Sequence, residues 1–84
     1  MNIDRSDHRV AIMKLVRKAY KALNAADTAE INRCYTQLVD AWSTYSLLTL
    51  LHSGADGACF MTLAREIRSA LTALTTYYNT TPTR

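Results

Sequence analysis

At 84 residues the chain suffices for one domain and is too short for two, and a domain of this size buries only about 60–65% of its unfolded surface. Hydrophobic residues at 49% and charged residues at 20% exclude wholesale disorder. Two glycines and one proline leave room for few turns, so a few long elements are expected in place of many short strands.

The first element is predicted over about 6–23. At 100° per residue Ile12, Leu15, Val16, Ala19 and Leu23 fall on one face, with Met13 and Tyr20 beside it. Asp4, Ser6 and Asp7 are candidate caps, and the carboxylates of Asp4 and Asp7 suit the positive end of the helix dipole. Asn24 is the residue expected to adopt a left-handed conformation and close the helix.

The second helix is predicted over about 28–52. It opens on Asp27-Thr28-Ala29-Glu30, a capping-box pattern in which Asp27 and Glu30 satisfy each other's free amides. Its stripe reads Ile31, Tyr35, Leu38, Trp42 and Tyr45, which makes Trp42 a central core residue. Ser53-Gly54 then supplies a glycine C-cap.

The third helix is predicted over about 57–78, with Asp56 as its N-cap. Phe60, Leu63, Ala64, Ile67, Leu71, Leu74 and Tyr78 form the cleanest stripe in the chain, centred on Ile67. Arg65, Ser69, Thr72 and Thr76 lie opposite. Residues 79–84 have no apolar anchor and are expected to fray. The Thr- and Tyr-rich stretch 75–78 suits a strand by composition, but the apolar period is that of a helix. Short connections make consecutive helices antiparallel, so the whole chain, 1–84, is read as an all-α, antiparallel three-helix bundle.

Catalytic constellations are weak. Cys34, Cys59, His8 and His52 are scattered, with no C-x-x-C or H-x-x-x-H pair to start a metal site, so neither metal nor cofactor is expected. Cys34, on the edge of the second stripe, reads as a small core hydrophobe. Cys59 lies in the first predicted turn of the third helix, one short loop beyond His52. No orienting group or oxyanion hole accompanies them. Capping accounts for Asp4, Asp7, Asp27, Glu30 and Asp56, leaving Asp40 and Glu66 on separate helices. A thin bundle offers little room for a pocket, so no small-molecule substrate is expected and the chain is read as non-enzymatic.

Charge is more informative. Residues 1–24 carry six basic and two acidic side chains, a local net of +4, whereas residues 25–53 carry one basic and three acidic, a net of −2. Lys14, Arg17, Lys18 and Lys21 form a stripe opposite the apolar face of the first helix, with Val10 among them. Such a stripe suits phosphates or an acidic protein surface. No aromatic residue interleaves with it, and the acidic second helix is a poor recognition element for nucleic acid.

The other unusual feature is Leu47, Leu48, Leu50 and Leu51, which point around most of the wheel and cannot all face one seam. Some of this leucine surface is expected to meet another protein, a second copy included. The leading expectation is a protein-interaction module, an adaptor or inhibitor of a larger partner. Many small phage- or plasmid-borne regulators share this size and composition. A nucleic-acid-binding regulator using the basic stripe is the alternative. The N-terminus lacks a secretory apolar region, and Leu47–Leu51 is far short of the ~20 residues that span a bilayer, so a cytoplasmic protein without membrane contact is expected.

Overall fold

The computed structural model describes residues 5–80, which form three helices: α1 (Arg5–Ala25), α2 (Thr28–Leu51) and α3 (Gly54–Thr80). No strand occurs among the described residues. His8 and Tyr45 meet across α1 and α2, and Phe60 packs near both. At the other end Tyr78 packs on Tyr35. The order is therefore up-down-up, an antiparallel three-helix bundle drawn out to 49 × 19 × 14 Å. No helix among the described residues is long and apolar enough to cross a membrane.

The core collects Ile12, Val16, Ala19 and Ala22 from α1, Ile31, Cys34, Leu38 and Tyr45 from α2, and Phe60, Leu63, Ile67, Ala70 and Leu74 from α3. Ile67 is completely buried, as its place in the α3 stripe predicts. The α2 stripe is rotated from the expected one. Ile31, Leu38 and Tyr45 point inward, but Cys34 and Ala41 occupy the positions assigned to Tyr35 and Trp42, and Trp42 is 40% exposed. Both stripes begin at Ile31 with helical spacing, so periodicity alone does not separate them. Packing does: α1 and α3 present Ala19, Ala22 and Ala70 to the seam, and small side chains on α2 let the helices close together. The large amphipathic rings of Tyr35 and Trp42 then sit on the flank.

Three boundaries differ from expectation. Asn24 lies within α1, and the helix closes at Ala26, whose φ of 53° is left-handed. The Ala26 amide donates to Leu23 O and the Asp27 amide to Ala22 O, both at 3.0 Å, the pair of bonds that ends a helix in a Schellman motif. Asp27 also caps α2: its Oδ1 accepts from the Glu30 amide at 3.2 Å, and its carbonyl accepts from the Ile31 amide. The reciprocal half of the capping box is replaced, because the Glu30 carboxylate pairs with Arg33 and accepts from the Cys34 thiol.

At the second turn His52, not Gly54, is the C-cap of α2, its amide donating to Leu48 O at 3.0 Å. Gly54 opens α3 with φ of 66°, which leaves Asp56 inside the first turn instead of at the N-cap. The far end of α3 continues through Asn79 and Thr80, two residues that were expected to fray. The Tyr78 hydroxyl donates to Asn32 Oδ1 and its ring packs edge-on against Tyr35, which ties this turn to the start of α2. Ser6 and Asp7 lie within the first turn of α1, so neither is its N-cap. Asp4 and residues 81–84 lie outside the described residues.

Candidate functional site

Of the nine large hydrophobic side chains exposed among the described residues, six belong to α2: Tyr35, Val39, Trp42, Leu47, Leu50 and Leu51. The four leucines named from the sequence divide. Leu48 is half-buried and packs on the core, which removes it from the apolar patch. Leu50 is 83% exposed, Leu51 67% and Leu47 55%. The physical cause is their place on the wheel: at 100° per residue Leu47, Leu50 and Leu51 stand about 120–160° around the α2 axis from buried Tyr45, whereas Leu48 stands only about 60° from it.

Tyr35, Val39, Trp42 and Leu50 fall within an arc of about 80° at 100° per residue, adjoining the buried face of α2. Beside them, between α2 and α3, lies a depression of about 210 Å³ lined by Trp42, Ser46, Thr49, Met61, Ala64, Arg65 and Arg68. Reading Tyr35 and Trp42 as core residues hid this surface in the sequence. The alternative spacing Ile31-Cys34-Leu38-Ala41-Tyr45 was the signal that would have freed both rings and exposed it.

Lys14, Arg17, Lys18 and Lys21 are all exposed, and the helical stripe they form includes exposed Val10. Part of this stripe faces acids of α2. Lys14 and Lys18 share a depression of about 450 Å³ with Asp40, and Lys18 and Lys21 share one of about 280 Å³ with Asp27 and Glu30. The contrast between a basic first third and an acidic second third therefore places opposite charges on either side of the α1–α2 groove. Arg17 lines neither depression.

The thiols and imidazoles occupy different environments. Cys34 is fully buried. Burial pushes its pKa up, with the nearby Glu30 carboxylate adding to the rise, so this thiol holds its proton and is a poor nucleophile. Cys59 is half-buried in a shallow depression with Arg9, Ala55, Ala58, Thr62 and Leu63. It falls in the second turn of α3 because the helix starts at Gly54. His8 and His52 both pack against Phe60, each with a centroid separation of 5.3 Å. His8 Nδ1 and the Tyr45 hydroxyl are joined by a 2.7 Å hydrogen bond, and burial raises the pKa of that tyrosine, with nearby Cys59 adding to the rise.

Along the sequence these imidazoles are scattered. His8 nonetheless lies four residues before Ile12 on the same helical face, which was the available sign that it reaches the core edge. No group of three or more His, Cys, Asp or Glu side chains able to hold a metal ion occurs among the described residues.

Fold and surface together describe a thin three-helix bundle whose middle helix carries a second apolar face. Comparison of the chain with protein-family models, curated proteins and solved structures finds no match.

Proposed function

We propose that this protein is a non-enzymatic helical interaction module, an adaptor or inhibitor that acts by docking on a larger protein through the outer face of α2. The observation that carries the reading is the concentration of exposed apolar side chains on that helix, with Leu50 and Leu51 the most open of them. An exposed hydrophobic surface of this kind on a small domain marks an interaction site more often than a neutral one.

The nucleic-acid reading is weaker. Three of its four basic side chains line grooves that also hold carboxylates, and a phosphate backbone approaching α1 would meet Asp40 and Glu30 as well. The non-enzymatic reading is supported by a sealed Cys34 and by a His8 whose Nδ1 is engaged with Tyr45.

Leu47→Asp and Leu50→Asp, made singly, test the proposal. Both should keep the helical circular-dichroism spectrum of the parent while losing self-association on a sizing column or losing a partner that the parent retains. If both remain fully competent in association, the outer face of α2 is not the docking surface.

A further inference from the structure

We propose that the open groove between α2 and α3, centred on Trp42, receives an amphipathic helix of a partner protein whose flanks are acidic. This rests on the interaction reading above and names the occupant of the surface.

An antiparallel helix pair has a groove on each side. α1 fills one groove of the α2–α3 pair with Ile12, Val16 and Ala19, and on the other side no described residue covers the pair. The uncovered groove has a shape suited to helix packing. Ser46, Thr49 and Ala64 form a small-residue floor between two large side chains, Trp42 on α2 and Met61 on α3. A leucine-sized side chain fits between such walls, and a helix laid there would complete a four-helix bundle. The edge-to-face pair of Tyr35 and Tyr78, with centroids 5.8 Å apart, marks one end of the groove.

Charge selects the kind of helix. Arg65 and Arg68 line the depression, both are exposed, and neither makes an ion pair among the described residues. No carboxylate among the described residues lines it. An occupant with Glu or Asp beside its apolar stripe would supply the missing partners, with the planar guanidinium suited to two-pronged pairing. A second copy is a poorer fit: symmetric docking through this face brings the arginines of both copies into one groove, on a chain already carrying a net +3. Single-stranded nucleic acid is also a poorer fit, because the α2 wall is uncharged and two arginines make a short track for a backbone.

Trp42 is the sole tryptophan of the chain and reports directly on the groove. The probes are a designed 20-residue helical peptide with leucines at the a and d positions and glutamates on its flanks, its lysine-flanked twin, and a 15-nucleotide single strand. The glutamate peptide should bind, shift the Trp42 emission to shorter wavelength, and weaken with added salt. The double variant Arg65→Glu/Arg68→Glu, altered only at exposed positions, should bind it roughly tenfold more weakly and gain affinity for the lysine peptide. Equal binding of both peptides, indifference to the double variant, or preferential binding of the oligonucleotide would each overturn the proposal. Association that is lost in Leu50→Asp but kept in Arg65→Glu/Arg68→Glu would also overturn it while leaving the broader interaction reading in place. Association left intact by both Leu47→Asp and Leu50→Asp would remove that broader reading as well.

Discussion

Gly57 lies so close to the end of α2 that a Cβ on it would stand 2.7 Å from the carbonyl oxygen of His52. The contact is with backbone, which does not swing aside as a flexible side chain would. It lets the first turn of α3 press against the last turn of α2 with only His52 and Ser53 between the helices. Gly57→Ala gains up to about 1 kcal/mol in helix propensity but forces the two turns apart, a strain of about 1–3 kcal/mol. The strain should win, and urea denaturation should show a net loss of stability. A stabilised variant would mean that the turn gives way at little cost.

Ala26 offers the opposite case. Its φ of 53° costs an L-residue about 1–2 kcal/mol, a penalty that glycine does not carry. Glycine loses part of that gain through its freer unfolded chain, about 0.4–1 kcal/mol. Ala26→Gly should therefore stabilise the protein by about 0.5–1 kcal/mol, read as a rise in Tm of about 4 °C. An unchanged or lower Tm would show that the turn does not hold this conformation in solution.

Alkaline pH should weaken the fold, beginning at Cys34. Burial, then the nearby Glu30 carboxylate, pushes its pKa above the ordinary value of 9.0. Above about pH 9 the unfolded chain loses this proton while the folded chain keeps it. The folded state then binds more protons, so stability falls as pH rises. The contribution is fully present below the unfolded value and is lost progressively up to the folded one. Tyr45, raised from 10.0 by its own burial, extends the decline upward. Urea midpoints at pH 7, 9 and 10 should fall for the parent. Cys34→Ala, less stable at pH 7, should lose less between pH 9 and 10. Parallel losses in the two proteins would exclude the thiol as the cause.

The helices and their order are legible in the sequence because apolar period and capping residues agree. Asp27 illustrates this: an acid three residues before Glu30, at the head of an apolar stripe, specifies a helix start wherever the chain goes next. What the sequence leaves open is rotation about the helix axis. Ile31, Leu38 and Tyr45 belong to two interleaved stripes, and the choice between Tyr35/Trp42 and Cys34/Ala41 depends on the alanines that α1 and α3 bring to the seam. That information is not local to α2. The candidate surface inherited the same ambiguity. The exposure of Leu47, Leu50 and Leu51 followed from the wheel, while the groove beside Trp42 was hidden by counting its central residue as core. The end of α3 was misjudged for a related reason, because Tyr78 finds Asn32 and Tyr35 at a distance in sequence that composition does not reveal.

The rotation has a direct consequence for Ile67 and Trp42, which the sequence alone ranks as equals. Ile67 is fully buried among core side chains, so Ile67→Ala leaves a cavity and should cost about 2–5 kcal/mol. Trp42 is 40% exposed and borders an open depression. Trp42→Ala removes apolar contact without making a closed void, and should cost at most about 1.5 kcal/mol. Urea denaturation of both variants, followed by the far-ultraviolet circular dichroism of α-helix, measures the two losses on one scale. The ordering should reverse in a binding assay with the glutamate-flanked peptide, followed by anisotropy of a label on the peptide so that no tryptophan is needed. There Trp42→Ala should abolish association while Ile67→Ala, studied below its unfolding midpoint, should retain it. Equal destabilisation by the two substitutions would return Trp42 to the core and close the groove that the proposed partner requires.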